Sequence, residues 1–218
     1  MAEVAQGQGL RERKKRQTRQ TLLTVAESLF ESRGYENVTV AEIADAANIS
    51  VKTLFTYFRS KEDLAFGDAD RLRDHILSAV QERDAHQSPV DAVAALLDRL
   101  VVEGDARTGL EGFHTLVGES AALQSRLRRM WDDYEKDLAA VLVAELGPAS
   151  AARARLAASQ IIAMVRSLTS PEVRALVGRQ RSATRSRLEL QAWVATAAAM
   201  VRDGLGDLGT EDSAAPIS

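Results

Sequence analysis

Between Thr39 and Leu64 the chain reads TVAEIADAANISVKTLFTYFRSKEDL, a stretch that specifies three short helices and marks the start of each. Thr39 and Glu42 have the spacing of a capping box, in which each side chain satisfies a main-chain donor near the other. Val38 and Ile43 staple the chain entry, while Val40, Ile43, Ala44 and Ala47 mark the buried stripe of the first short helix. Asn48 follows as a residue that tolerates the left-handed turn. Ser50 caps the next helix, Ile49 and Leu54 repeat the staple, and Leu54, Phe55 and Phe58 form the expected apolar face. Ser60 caps a third helix, with Asp63 at the box position. Lys61 in its first turn opposes the helix dipole, which favours acidic groups there, so an anion nearby is expected to compensate.

Two short helices joined by a tight turn form a helix-turn-helix, whose second helix enters the major groove of DNA. Here that second helix leaves Val51, Lys52, Thr53, Thr56 and Tyr57 on or beside its open face. Methyls, hydroxyls and an ammonium are suited to base edges and phosphates, and lysine matches guanine O6 and N7. The candidate base contacts are therefore Val51, Lys52, Thr53 and Thr56. Charge supports the placement: the first 61 residues hold ten Lys or Arg against seven Asp or Glu, and the rest eighteen against twenty-four, within a net charge of −3. Arg11, Arg13, Lys14, Lys15, Arg16 and Arg19 form a basic run opposed only by Glu12. By itself such a run reads as a solvated tail. Beside a reader, Lys14, Lys15 and Arg16 become candidate phosphate contacts, which supply affinity without sequence information.

The segment resembles the DNA-binding domain of the TetR family of bacterial transcriptional regulators. The resemblance is strongest in Leu54-Phe55-Thr56-Tyr57-Phe58-Arg59-Ser60-Lys61-Glu62-Asp63-Leu64, similar to the family's leucine, aromatic, any residue, aromatic, phenylalanine, two variable residues, lysine, acid, any residue, leucine. It covers roughly residues 15 to 64. Carried over residue by residue, it makes Thr39, Tyr57 and Lys61 further phosphate candidates. The aromatic after the leucine is often tyrosine in the family, where its hydroxyl reaches a phosphate; Phe55 cannot donate, so that contact is not carried over.

Around this core the pattern predicts an all-α chain. Residues 1–64 form the basic arm and three-helix reader, 65–205 a larger helical effector-binding and dimerisation domain, and 206–218 a mobile tail. Residues 1–10 are expected to be disordered. A first helix is expected from about Lys15 to Arg33, with Gly34 as its C-terminal cap. A continuous fourth helix is expected from Ser60 to about Arg83, serving as a lever between the domains. Helices follow at 89–103, 110–117, 121–146, 151–168 and 182–205. Leu156, Ser159, Ala163 and Ser167 on one of the last two, with Ala192, Ala195, Ala198 and Ala199 on the other, allow close helix approach. The residues alone leave intrachain packing and self-association both open; the resemblance implies a homodimer through these helices. It also implies a small-molecule pocket in the second domain, with Phe113, Leu116, Met130, Trp131, Tyr134, Ile162, Met164 and Arg166 as candidate lining residues and a hydrophobic or amphipathic effector.

With 45% hydrophobic and 27% charged residues, the composition is that of a globular protein. The absence of cysteine excludes disulfides, thiolate metal sites and cysteine nucleophiles. His75, His86 and His114 are widely separated, and neither a His-Glu-x-x-His motif nor a Gly-x-Ser-x-Gly elbow occurs, so no enzyme, cofactor or metal is expected. There is no apolar run of membrane-spanning length and no signal-peptide pattern, which leads us to expect a cytoplasmic protein. The sequence thus reads as a homodimeric one-component regulator, a repressor on a palindromic operator released by its effector. A ligand-independent DNA-binding protein with a filled helical core remains open, as does a helical enzyme or interaction module with a vestigial reader.

Overall fold

The computed structural model describes residues 2–67, 69–103, 116–118, 120–180 and 182–204, and the described residues are helices and turns without a strand. In chain order the helices are α1 (Ala2–Arg33), α2 (Val40–Ala46), α3 (Val51–Leu54), α4 (Lys61–Ala65), α5 (Ala69–Gln81), α6 (Pro89–Glu103), α7 (Ala121–Leu146), α8 (Ala151–Ser167), α9 (Pro171–Gly178) and α10 (Ala183–Asp203). None of them is long and apolar enough to cross a membrane.

The chain divides into two compact units, Met1–Arg71 with Gly112–Met130, and Leu72–Glu111 with Trp131–Ser218. The division differs from the expected one after residue 64, because a later segment joins the reader. Val117 and Leu123 are buried in the same core as Leu22, Ala26 and Phe30 of α1, Ile43 and Ala44 of α2, and Leu54 of α3. Burying a leucine fully stabilises by about 1.5–3 kcal/mol, so a side chain distant in sequence contributes as much here as one from α1. Arg126 reinforces the attachment with a 2.8 Å ion pair to Asp63, both side chains being mostly buried.

The second unit is built around α6 and α10. Val101 of α6, Val173 and Val177 of α9 and Leu190 of α10 form one apolar cluster, with Leu168 and Trp193 packed against it. Polar side chains pin the same elements: the Gln191 amide donates to Asp98 at 2.7 Å, the Trp193 indole donates to Ser167 at 2.9 Å, and Arg202 pairs with Asp91. Ser88 accepts from the Asp91 amide and starts α6. The region after Pro171, to which the sequence assigns no structure, is α9. Ser170 caps it, and Pro171 occupies a first-turn position where no amide is needed.

Two expectations fail at the helix ends of the first unit. α1 starts at Ala2, thirteen positions before Lys15, and residues 2–10 are helical. Gly7 and Gly9 each cost about 1 kcal/mol against alanine, while the Ala, Glu and Gln around them are helix formers. The long fourth helix is two, α4 and α5. α4 ends at Phe66, and Gly67 takes a left-handed φ of 48°. Arg19 of α1 donates to the Gly67 carbonyl at 2.9 Å, fixing the oxygen that a continuing helix would have used four residues later. Both α5 and α7 run unbroken across a boundary between the units. Residues 110–115 of another expected helix and the tail after Gly204 lie outside the described residues, as do Phe113 and His114.

Gly67→Ala tests this break. In a continuous helix the change stabilises by up to ~1 kcal/mol; at a left-handed position it is expected to destabilise by about 1–2 kcal/mol. Urea unfolding of the full chain reads the sign.

Candidate nucleic-acid interface

A helix of one turn has no stability of its own, so α3 depends on what flanks and underlies it. Asn48 makes the preceding turn with φ 55°, and the Ile49 amide returns to the Ala44 carbonyl at 2.9 Å. Ser50 then caps α3 by accepting from the Thr53 amide at 3.0 Å. Leu54, fully buried, and Phe58, 4% exposed, anchor the far side. The turn closes tightly after Leu54, with Thr56 N bonded to Thr53 O and Tyr57 N to Leu54 O.

This arrangement leaves Val51, Lys52 and Thr56 exposed and Thr53 half-buried. The Thr53 hydroxyl shares a 2.8 Å hydrogen bond with Ser50, and that of Thr56 donates to the Thr53 carbonyl at 2.6 Å. Lys52 carries the positive charge of α3. Phe55, assigned from sequence to the apolar face, is instead 49% exposed. Residues four apart on a helix share a face and adjacent ones do not, so Leu54 pairs with Phe58 and Phe55 turns outward. That spacing was present in the sequence.

The phosphate candidates separate into different environments. Lys14, Lys15 and Arg16 are exposed on α1, as an electrostatic contact requires. Arg19, part of the same basic run, is turned inward: besides its bond to Gly67 its guanidinium lies 5.0 Å above the Phe58 ring. Thr39 is exposed, but its hydroxyl donates to Glu42 at 2.8 Å and accepts from the Glu42 amide, completing the expected capping box. Arg33 pairs with the same carboxylate at 2.9 Å. Tyr57 is half-buried against the core of the unit. An open hollow of about 240 Å³ beside the turn before α3 is lined partly by Gln17, Thr18 and Thr21, polar side chains that no motif in the sequence marks.

Lys61, expected from sequence to face an anion, lies against main-chain oxygens. Its ammonium donates to the Tyr35 carbonyl at 2.9 Å and the Val38 carbonyl at 3.0 Å, and lies 3.9 Å from the centre of the Tyr35 ring. The partial negative charges beside it are those of two main-chain carbonyl oxygens. The Tyr35 hydroxyl donates to Glu62 at 3.0 Å. Burial, followed by the hydrogen bond to Glu62 and the charges of Glu62 and Glu36, pushes the Tyr35 hydroxyl well above the ordinary phenol range. Burial would raise Glu62, but bonds from Ser60, its own amide and Tyr35, with the charge of Lys61, outweigh it and hold Glu62 below its usual value. Glu42 is held low by the Thr39 amide first, then the Thr39 hydroxyl and Arg33.

The candidate effector residues do not converge as a group. Leu116 packs on the core of the first unit, and Met130 also belongs to that unit. Trp131, Tyr134, Ile162 and Met164 are buried in the second. Trp131 and Tyr134 stack edge to face with centres 5.4 Å apart, and the buried Trp131 indole nitrogen has no acceptor among the described residues. Arg166, expected to line the pocket, is exposed in the last turn of α8, where a cation complements the helix dipole.

Residues 22–66 match the family model for bacterial regulatory proteins of the tetR family. The HTH-type transcriptional regulator TcmR of Streptomyces glaucescens is 33% identical over 150 residues, covering 65% of this chain and 66% of that protein. The putative mycofactocin biosynthesis transcriptional regulator MftR of Mycobacterium tuberculosis is 41% identical over 68 residues, 28% of this chain and 34% of that protein. The chain thus spans from about a third to just under two thirds of these relatives' lengths. A putative TetR-family transcriptional regulator from Mesorhizobium loti shares the fold, with a TM-score of 0.51 at 20% identity over 85% of this chain and 97% of that one.

Acid should loosen the first unit through Glu42 and Glu62. Both have folded values below the ordinary 4.5, so their stabilisation is complete above that value and lost as pH falls through the folded values. Urea unfolding is expected to show stability falling below about pH 4.5. The double variant Glu42→Gln/Glu62→Gln should start less stable at neutral pH and show a shallower acid decline.

Proposed function

We propose that this chain, which belongs to the TetR family of bacterial regulatory proteins, acts in the cytoplasm as a homodimeric repressor that binds a palindromic operator and leaves it when a small hydrophobic or amphipathic effector binds. That it is a transcriptional regulator with a helix-turn-helix DNA-binding domain follows from the family; the rest is our reading. The observation that carries it is the presentation of Val51 and Lys52 on the capped, one-turn α3 and of Thr56 in the turn that follows it. The N-terminal residues of a recognition helix are those that reach base edges. Lys52 supplies a guanine-directed donor, Val51 a methyl contact for thymine and Thr56 a hydroxyl, with Thr53 positioned beside them. Lys14, Lys15 and Arg16 supply phosphate contacts, with Thr39 and Tyr57 as further candidates, Thr39 on condition that its hydroxyl leaves Glu42.

Self-association is supported by the outer faces of α8 and α10. Leu156, 67% exposed, lies with half-buried Ser159 and exposed Ala163 at spacings of three and four, while Leu188, 59% exposed, lies with Ala192 and Ala195 on α10. Ala198, counted with that stripe from sequence, is buried and serves intrachain packing. Large apolar side chains left in water beside small ones are suited to a close helix-helix seam. Two readers related by a two-fold axis then occupy major-groove half-sites about 34–36 Å apart.

Effector release requires the ligand to favour a conformation whose readers no longer fit successive grooves. The Trp131 indole, which has no acceptor among the described residues, and the adjoining Tyr134 ring support an amphipathic ligand, apolar in body with one acceptor.

Sequencing of genomic fragments retained by the purified protein at rising salt tests the reading. A recovered palindrome supports it; retention of all sequences alike, vanishing at moderate salt, rejects it. Lys52→Ala is expected to alter base preference, whereas Lys15→Ala should weaken all sequences and lower the salt slope by about 0.9 for each phosphate that is no longer neutralised. Leu188→Glu should yield monomers in analytical ultracentrifugation and abolish the two-half-site complex.

A further inference from the structure

We propose that Phe55 is a specificity-determining residue of the reading surface: with Val51 it forms an apolar pair that selects thymine in the major groove through the 5-methyl group. Val51 is 38% exposed and Phe55 49% exposed, and these two are the exposed large apolar side chains among the described residues of the first unit. The Phe55 amide donates to the Val51 carbonyl at 3.0 Å, so the two lie one helical turn apart and share a face. Lys52 and Thr56 are exposed beside them. The large apolar side chains that this unit leaves in water thus sit on the second helix of the helix-turn-helix and its end, the element that enters the major groove.

The core of the unit is complete without Phe55. Leu54 and Phe58 fill the floor beneath α3, and Phe55, its C-cap, keeps helical backbone with φ −68°. The closing turn, with Tyr57 N bonded to Leu54 O at 2.9 Å, then holds the ring outward. A phenyl ring neither donates nor accepts, so what it brings to DNA is apolar contact alone. Set against a phosphate it would strip water from an anion and return no hydrogen bond. Among the base edges of the major groove the apolar group is the thymine methyl, and phenylalanine is a side chain suited to meet it. Side chains four apart on a helix stand about 5–6 Å from each other, and successive bases of a strand are about 3.4 Å apart. Val51 and Phe55 therefore reach one or two neighbouring thymines, with Lys52 directed to guanine beside them.

This assignment rests on the reading of α3 as the helix in the major groove, and the test separates the two. The full chain selects duplexes from a random-sequence pool, and the selected duplex is remade with deoxyuridine replacing one thymidine at a time, which removes the methyl and keeps every hydrogen-bonding edge. Binding is expected to weaken about fourfold for each methyl removed, the effect of burying one methyl-sized group, at one or two adjacent positions of a half-site and nowhere else. Phe55→Ala, a change at an exposed side chain, should bind the thymidine duplex more weakly and lose the discrimination at one of those positions at least. Lys15→Ala should weaken thymidine and deoxyuridine duplexes alike. Equal affinity for every deoxyuridine duplex, or undiminished discrimination by Phe55→Ala, overturns the proposal and leaves the regulator reading standing. Failure to select any sequence overturns both.

Discussion

Burial of Leu54 and Phe58 beneath a helix of one turn is the interaction on which the reading surface rests. α3 spans only Val51–Leu54, and a single turn gains too few hydrogen bonds to offset the entropy of ordering it. Its geometry is imposed by the apolar floor, by Ser50 at its start and by the tight turn at its end. Each exposed position follows from that anchoring. With Leu54 and Phe58 inward, Val51, Lys52, Phe55 and Thr56 have no alternative but the outer face.

The same logic extends outward through charges placed where they serve the protein itself. Arg19 and Lys61 both look, in sequence, like cations waiting for DNA. Each is used to hold main-chain carbonyls, Gly67 in one case and Tyr35 with Val38 in the other. Each also lies against an aromatic ring. Lys14, Lys15 and Arg16, by contrast, are exposed on α1. Basic residues of one short stretch thus stand in different environments.

The division of the chain places a stretch of α7 with the reader, through Leu123 in its core and Arg126 on Asp63. The expected lever, a single helix running on from Ser60, ends at Gly67. α7 is unbroken from Ala121 to Leu146.

What the sequence determined by itself was local. The capping box at Thr39, the caps at Ser50 and Ser60, the left-handed Asn48, the cap at Gly34 and the helices that became α6, α7, α8 and α10 were legible because each depends on residues within about four positions of one another. The family was legible for the same reason, since its motif is contiguous. Tertiary structure decided what depends on distant partners: the break at Gly67 fixed from Arg19, the capture of Lys61 by the turn at Tyr35, the joining of Leu123 and Arg126 to the first unit, and the exposure of Arg166. A side chain's charge is written in the sequence, but whether that charge faces solvent, an acid or a carbonyl oxygen depends on which segments the core brings together. Phe55 stands between the two cases: its outward direction follows from its spacing to Leu54 and Phe58, and only the apolar character of the residue argued otherwise.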